Sequence, residues 1–427
     1  MPKHLISALP ELIEAGIINA ETADAIEAYF EKKGESRPNW ILIAFGILGA
    51  LLTGLGIILI VAHNWDDFNQ LTKTIIAFLP LLVGQLFAGF TILRKPGNVV
   101  WQEASAVFMI FALGACISLV SQIYHLLGDL SSFLFWWTLL SLPLMYLLRS
   151  SMASLLLWCG ITYYGCQAGY FEWGKTASPW YWLFVLAALP YYYHLSKRAA
   201  ASNFANFHHF LVPMSLVVVL GTEAHQQSSW MFLAYFSLFG LLHLVGTWIK
   251  HWNPVSHISG YQLAGKLGPL GLLMWFSFLS SWGELHYRSE SEAWVNAQEF
   301  HLFLLLTVLN IALLLWLHFR TKVRVLSAFN LLPFVFALLF FIAMGYPLIS
   351  AVLTNLLLLG IGIATVLEGS RTNSITTLNI GLLTLTGLLI CRFFDLKIDF
   401  VVRGILFIIV GVGFFLGNYW LIKKKKV

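Results

Sequence analysis

Long runs of apolar residues alternate with short polar segments along most of this chain. The first run extends from Trp40 to Ala62 without a charged residue and is followed by a polar stretch that contains Trp65 and Asp66. A helix needs about 20 apolar residues to cross a bilayer, so this run predicts a first membrane span. Its four glycines would each cost a water-soluble helix roughly 1 kcal/mol, whereas small residues let helices in lipid pack closely.

The same pattern recurs along the rest of the chain and predicts an all-α fold, a polytopic transmembrane helix bundle of about fourteen spans. Twelve or thirteen spans are the alternative, because several runs are short or are separated by few residues. The segment least typical of a span contains Pro190. The predicted spans are 40–62, 73–93, 104–124, 130–148, 151–170, 180–196, 206–222, 229–249, 266–282, 299–318, 325–343, 346–367, 374–391 and 402–422.

Residues 1–39 have a different pattern and predict a separate cytoplasmic region, followed by a transmembrane domain at 40–427. Apolar residues recur at helical spacing on both sides of Gly16, which indicates an amphipathic helical pair and a linker. Such a pair is too small to be stable alone. We expect it to pack on the membrane domain, on itself or on a protein partner. Seven acids against four bases here exclude a cleavable signal peptide.

Composition supports a membrane protein and excludes several other classes. The chain is 59% hydrophobic and 11% charged, whereas soluble proteins are about 25% charged. Its basic residues are dispersed, so no nucleic-acid partner is expected. The four cysteines form no CxxC pair, and the adjacent His208 and His209 cannot share a helix face. We therefore predict no metal and no cofactor.

The distribution of basic residues predicts the orientation of the bundle. If the N-terminus is cytoplasmic and the spans alternate, nineteen Lys and Arg residues lie in the cytoplasm and six lie outside. Basic residues favour cytoplasmic loops, so both termini are predicted to be cytoplasmic. The net charge of +5 then reflects this asymmetry.

The same topology places a group of charged residues at the outer face of the membrane. Five of the six aspartates fall there, mainly after the first span and between the last two spans. An arginine near the hydrocarbon is costly unless it is paired or hydrated, and its planar fork suits phosphate or carboxylate. These features predict an outward-facing pocket for a small anionic or lipid-like ligand. The candidate ligand-binding residues are Trp65, Asp66, Gln122, Tyr124, His125, Arg392, Asp395 and Arg403.

Each of these residues also has an ordinary structural interpretation. Charges at span ends commonly snorkel or pair locally, and Arg392 and Asp395 have the spacing of an ion pair on one helix face. Trp65 and Tyr124 are typical of the membrane interface. Glu103 begins the third span, where the helix dipole favours an acid. Polar residues inside the spans are predicted to hydrogen-bond between helices, namely Gln85, His243, Asn310, Asn330, Asn355 and Asn379.

Several short motifs, taken in order, resemble a bacterial membrane family labelled domain of unknown function 2157. They are Leu12…Gly16-Ile17-Ile18…Ile26…Tyr29, Ala62-His63-Asn64-Trp65, Gln122-Ile-Tyr124-His125, Trp137 and Pro143. The resemblance covers roughly residues 5–150, and the segment from Asn379 to Gly404 is similar to the C-terminal half of long members. It implies a multi-pass protein of the bacterial inner membrane. It implies no activity and no ligand-binding residues.

Three functional hypotheses follow from the sequence. The first is a protein that binds or transports the anionic ligand at the outer pocket, where arginines hold the anion and acids orient them. The second is a membrane-embedded enzyme that acts on an outer-leaflet lipid or glycan, with His125 or Asp66 as general base. The third is a scaffold or regulator of an envelope complex that recruits a partner through residues 1–39.

Overall fold

The structure is a computed structural model, which describes most of the chain between residues 65 and 395. The described residues are 9–26, 63, 65–171, 178–199, 202–225, 227–252, 260–288, 294–320, 327–395, 401, 404–405, 408 and 411–412. The predicted first span, 40–62, lies outside them, and so does most of the predicted last span, 402–422. The chain forms two compact units, Met1–Ile76 and Ala77–Val427.

The first unit begins with two short helical stretches, residues 9–14 and 20–26. Gly16 ends the first stretch with a φ of +67°, a backbone conformation that favours glycine. The side chain of Asn19 begins the second, because its Oδ1 accepts a hydrogen bond from the Thr22 backbone N–H at 2.9 Å. The predicted helix break at Gly16 is confirmed.

The rest of the described chain is helical, with no strand in these ranges, and the all-α fold class is confirmed. Thirteen α-helices are described from residue 70 onward. They are α1 Gln70–Arg94, α2 Val99–Ile123, α3 Leu130–Leu147, α4 Ser151–Tyr170, α5 Pro179–Arg198, α6 Asn203–Leu220, α7 Ser229–Trp252, α8 Gly260–Trp275, α9 Leu279–Arg288, α10 Gln298–Arg320, α11 Ala328–Ala343, α12 Pro347–Arg371 and α13 Ile375–Asp395.

Side-chain caps fix where several of these helices begin. Asp129, Ser150, Ser202 and Ser327 each accept a hydrogen bond from a backbone N–H of the first turn that follows. Such caps satisfy donors that have no partner within the helix. These caps therefore define the first turns of α3, α4, α6 and α11.

Contacts between helix ends show that the helices of the second unit alternate in direction. The Glu103 carboxylate near the start of α2 accepts from the Ser151 backbone N–H at the start of α4, at 2.9 Å. The end of α5 meets the start of α6 through the Tyr192 hydroxyl and His209 Nδ1, 2.6 Å apart. We call this side of the bundle the basic end, because several helices finish there with a basic residue. These residues are Arg94, Arg198, Lys250, Arg320 and Arg371.

Helix α7 lies at the centre of the second unit. It packs against α8, α10 and α11, and 67% of its most apolar stretch is buried. Phe236 of α7 stacks on Phe336 of α11 with ring centroids 3.8 Å apart. In contrast, only 17% of the corresponding stretch of α10 is buried. Exposed apolar surface of this extent on a long helix is typical of contact with lipid.

Eight of the described helices are long and apolar enough to cross a membrane, or nine if α8 and α9 form one bent span. A count of fourteen is therefore not confirmed. The predicted span 266–282 is wrong in its bounds, because the helix ends at Trp275 and α9 leaves it at an angle of 89°. Side chains stabilise the break by donating to carbonyl groups there, Ser281 Oγ to Trp275 O at 2.9 Å and Trp282 Nε1 to Phe276 O at 2.6 Å.

Several predicted hydrogen bonds between helices are confirmed. Asn310 Nδ2 donates to the Ser237 carbonyl at 3.1 Å and joins α10 to α7. His243 Nδ1 and Asn330 Oδ1 are 2.6 Å apart and join α7 to α11. Asn355 Nδ2 of α12 donates to the Ser277 carbonyl in the break after α8, at 2.9 Å. These bonds give α7 fixed neighbours on two sides, while the roles predicted for Gln85 and Asn379 stay predictions.

Candidate functional site

Three of the residues predicted to form the outer pocket lie together where α2 ends, opposite the basic end. Gln122, Tyr124 and His125 are all exposed. His125 has a φ of +50°, which turns the chain sharply after the helix. The Leu126 backbone N–H then donates to the Ser121 carbonyl at 2.9 Å and closes the turn. The structure therefore gives these three side chains a common, solvent-accessible location.

Arg392, a fourth residue of the predicted pocket, contacts the residues at the break between α8 and α9. Its Nη2 donates to Ser277 Oγ at 3.1 Å, and its guanidinium carbon lies 4.8 Å from the centroid of the Phe278 ring. The guanidinium thus makes a hydrogen bond and a cation–π contact with the bundle. Asp395 is the last residue of α13, but its side chain lies outside the described residues, and so does Arg403. The predicted pair of Arg392 and Asp395 stays a prediction.

Trp65 and Asp66 belong to the first compact unit, in the turn that precedes α1. Asp66 is exposed, and the Lys73 ammonium lies 5.8 Å from the centroid of the Trp65 ring. In the second unit, α2 packs on α3 and α4, whereas α13 packs chiefly on α12. The structure therefore brings Gln122, Tyr124 and His125 together, and it brings Trp65 and Asp66 together. The convergence of all eight residues on one pocket stays a prediction.

Two buried carboxylates also lie at this end of the bundle, and the sequence analysis did not single them out. Glu299 is 1% exposed, and its Oε1 accepts from the backbone N–H groups of His225 at 2.7 Å and Gln227 at 3.0 Å. The carboxylate oxygens of Glu223 accept from Trp182 Nε1 at 3.0 Å and from Gln298 Nε2 at 2.8 Å. Both acids therefore bind the bundle's own donors.

Glu103, at the basic end, is likewise used to hold helices together. Its carboxylate accepts from the Ser150 hydroxyl and from the backbone N–H groups of Ser151 and Met152, both at 2.9 Å. The acid therefore caps the start of α4, where the positive end of the helix dipole favours a negative charge. The sequence analysis predicted a dipole role at the start of its own helix, α2.

The adjacent histidines at the basic end have separate partners. His208 Nε2 is 2.8 Å from Ser154 Oγ of α4, and its Nδ1 is 2.8 Å from the Phe204 carbonyl. His209 instead bonds Tyr192 of α5. The two side chains face different helices, and no cluster of three metal-ligating residues occurs in the described ranges.

A polar cavity of about 370 Å³ lies at the basic end, between α7, α8, α12 and α13. We call it the lysine cavity. Among the described residues, its charged groups are two ammonium groups and one carboxylate, and hydroxyl groups also line it. The lining residues are His243, Lys250, Gln262, Leu263, Lys266, Glu368, Thr372, Ser374, Thr376, Thr377 and Ile380.

The lysine cavity depends on a close approach of α7 and α8. A Cβ added to Gly265 would lie 2.7 Å from the His243 backbone nitrogen, and one added to Gly246 would lie 2.8 Å from that of Gln262. Such distances leave room only for glycine. The approach places Lys266 beside Phe329, with its ammonium 5.5 Å from the ring centroid. The lysine is therefore half-buried at the wall of the cavity.

The position of Lys266 inside a helix could have been predicted from the sequence, but the predicted bounds of the span hid it. The sequence analysis began a span at residue 266 and counted the lysine as a cytoplasmic loop charge. Helix α8 instead begins at Gly260, so Lys266 lies more than one turn inside it. A charge inside an apolar helix is expensive and commonly functional.

The region that matches a known family is the same region that carries the motifs described above. Residues 10–154 match the family model of predicted membrane proteins DUF2157. The resemblance inferred from the sequence is thereby confirmed over this region. The matched region includes Gln122, Tyr124 and His125, and the lysine cavity lies beyond it. Comparisons with curated proteins and with solved structures give no match.

Proposed function

We propose that this multi-pass membrane protein binds a small anion in the lysine cavity. The observation that carries the proposal is the presence of Lys250 and Lys266 in one polar cavity, whose described lining residues include one carboxylate, that of Glu368. Two ammonium groups and one carboxylate leave an excess of positive charge. A bound anion would balance that excess near Lys266, which is half-buried and therefore costly to keep charged, whereas Lys250 and Glu368 are exposed.

The other groups that line the cavity suit an oxyanion such as phosphate. Thr376 offers a hydroxyl group, which can donate to phosphate oxygens. The Ser374 and Thr377 hydroxyls bond each other at 3.0 Å, which leaves one proton of the pair for a ligand, and the Thr372 hydroxyl donates to the Glu368 carbonyl. Thr376 also belongs to the first turn of α13, where the helix dipole favours an anion. The Thr377 backbone N–H of that turn donates to Ser374 Oγ at 3.3 Å. Lysine side chains supply the positive charge, as they do in many phosphate sites.

Orientation of the bundle would decide where this anion comes from. Basic residues favour the cytoplasmic side of a membrane, and the basic end carries Lys250 and Arg371 close to the cavity. We therefore propose that the cavity opens toward the cytoplasm and samples an anion from it. Transport of the anion is not part of this proposal.

The proposal is tested by measuring whether inorganic phosphate stabilises the purified full-length protein. Thermal unfolding is recorded in a neutral detergent while phosphate replaces chloride at constant ionic strength. A ligand that binds only the folded state raises the melting temperature in a concentration-dependent way. Lys266→Gln should weaken phosphate binding roughly tenfold or more, since a hydrogen bond to a charged group contributes about 1.5–3 kcal/mol.

The matched control is Lys95→Gln, which removes an exposed lysine that follows α1 at the same end of the bundle. This variant should keep the full effect of phosphate. The proposal is wrong if phosphate and chloride give the same melting temperature for the unmodified protein. It is also wrong if Lys266→Gln binds phosphate as tightly as Lys95→Gln does.

A further inference from the structure

A second cavity at the basic end has a different composition, and we call it the arginine cavity. It measures about 490 Å³ and lies between α3, α5 and the start of α4. It shares no lining residue with the lysine cavity, and the described residues that line it include no acid. They are Tyr146, Arg149, Ser151, Pro190, Tyr191, His194, Leu195 and Arg198.

Two elements of the fold direct the basic side chains to this cavity. Tyr191, His194 and Arg198 are three and four residues apart along α5, so they share one face of the helix. Arg149 comes from the short turn between α3 and α4, and its φ of +52° fixes the direction of the chain there. Two arginines from different elements therefore approach the cavity from two sides.

Contacts of two tyrosines connect the helices that form the inner wall of the arginine cavity. The Tyr146 hydroxyl donates to the Ala187 carbonyl and ties α3 to α5. The Tyr146 and Tyr191 rings meet edge to face with centroids 5.8 Å apart, and the Tyr191 hydroxyl is 3.4 Å from Ser151 Oγ. The tyrosines thus hold a fixed spacing between the helices that carry the arginines.

The acid of α2, Glu103, lies next to this cavity but is not one of its lining residues. The Glu103 carboxylate is directed to Ser150 and to the backbone of Ser151 and Met152. That contact compensates the dipole of α4, and two arginines beside one carboxylate still leave an excess of positive charge. A negatively charged ligand is therefore the group that this cavity suits.

Exposed apolar surface continues from the arginine cavity along α5 toward the middle of the bundle. Leu183 and Leu186 are 51% and 62% exposed. They precede Pro190 by seven and four residues and therefore lie on the same side of α5 as that lining residue. A positive site with apolar surface below it matches the shape of a phospholipid, whose charged headgroup is attached to long acyl chains.

We infer that the arginine cavity binds the phosphate of an anionic phospholipid from the leaflet at the basic end, with an acyl chain lying along Leu183 and Leu186. Arginine forms paired hydrogen bonds to phosphate, and tyrosine is favoured at the depth of lipid headgroups. Basic pockets between membrane helices bind anionic headgroups on this general basis. A free anion would use the arginines but not the apolar surface.

The test compares two lipids that share acyl chains and differ in headgroup charge. Full-length protein in neutral detergent is mixed with dioleoyl phosphatidylglycerol or with dioleoyl phosphatidylcholine, and bound lipid is counted by native mass spectrometry. We expect preferential binding of phosphatidylglycerol. Each basic residue near a membrane surface contributes about 1 kcal/mol, so the double variant Arg149→Gln, Arg198→Gln should bind it roughly 20- to 30-fold more weakly.

Two further variants separate this site from general electrostatics. Lys197→Gln removes the neighbouring base, whose ammonium lies 4.5 Å from the Tyr193 ring centroid, outside the cavity lining; phosphatidylglycerol binding should be unchanged. Arg149→Lys with Arg198→Lys keeps the charges and should restore part of the affinity. Water-soluble glycerol phosphate should compete poorly, because it lacks the acyl chains.

Three results would overturn the inference. The double glutamine variant could keep the preference for phosphatidylglycerol while folded, as judged by its melting temperature without lipid. Lys197→Gln could lose that preference to the same extent. Glycerol phosphate could displace the lipid at equal concentration, which would indicate a site for a free anion. The proposal for the lysine cavity is tested separately, because its readout is the loss of phosphate stabilisation in Lys266→Gln, a variant that keeps both Arg149 and Arg198.

Discussion

The two ends of the helix bundle use charged residues in opposite ways. At the end opposite the basic end, Glu223, Glu299 and Arg392 have their polar atoms directed at donors, acceptors or rings of the protein itself. At the basic end, Lys250, Lys266 and two arginines line open cavities. These three charges at the first end therefore stabilise the fold, as Glu103 does at the basic end, whereas the four bases that line the cavities are available to a ligand.

This difference shows that the side of the membrane on which a charged residue lies does not by itself identify a ligand site. The sequence analysis placed the pocket at the predicted outer face, where basic residues are few. A charged residue there was expected to have a specific role. The structure explains one of them directly, since Arg392 closes the break between α8 and α9. The numerous charges at the basic end were attributed to membrane orientation. Some of them nevertheless face cavities that are large enough for a ligand.

Glu299→Ala should have the largest effect on stability. The substitution removes the acceptor for the backbone N–H groups of His225 and Gln227 at a residue that is 1% exposed. We expect a loss of about 3 kcal/mol in the free energy of unfolding, because hydrogen bonds to charged groups contribute about 1.5–3 kcal/mol each. Thermal unfolding in neutral detergent would measure it. Glu299→Gln keeps one acceptor oxygen and should lose less than half as much.

A Glu299→Ala protein with unchanged stability and altered ligand binding would contradict this view of the two ends. The buried carboxylate would then be a ligand group and not a structural one.

Arg392→Ala should have an intermediate effect, and it also tests the pocket predicted from the sequence. The substitution removes the hydrogen bond to Ser277 and the contact with Phe278, so we expect a loss of about 2 kcal/mol. Phosphate stabilisation, measured by the shift in melting temperature, should be retained. Phe278→Leu removes only the ring contact and should cost less. Loss of anion binding without loss of stability would instead support the outward-facing pocket.

Much of the fold could be predicted because it depends on local pattern. Apolar runs of sufficient length predict helices in lipid, and Gly16 indicates a helix break from its own residue type. Polar residues inside apolar runs need partners, and Asn310, Asn330 and Asn355 have them. The break after Trp275 was not predicted. Local donors, Ser281 and Trp282, stabilise it together with the distant donors Asn355 and Arg392. A local pattern does not contain the distant donors.

The candidate site could be predicted only in part, because cavities arise from distances between helices. The proximity of Lys266 and Glu368 in one cavity follows from the packing of α8 near α12 and α13, and no spacing along the sequence encodes it. The close contact at Gly265 is equally non-local. In contrast, the face shared by Tyr191, His194 and Arg198 could have been predicted from helical spacing.

Lys266→Met should have the smallest effect on stability and the sharpest consequence for the comparison of the two ends. The variant loses a cation–π contact with Phe329, of about 0.5–1 kcal/mol, but it also relieves the cost of holding an ammonium group half-buried. We expect the free energy of unfolding to change by less than about 0.5 kcal/mol, while stabilisation by phosphate is lost. Lys95→Met is the matched control, since it removes an exposed lysine and should change neither quantity. A residue whose role is to bind a ligand contributes little to stability when the ligand is absent. If Lys266→Met were destabilised as much as Arg392→Ala, charged residues at both ends would therefore stabilise the fold.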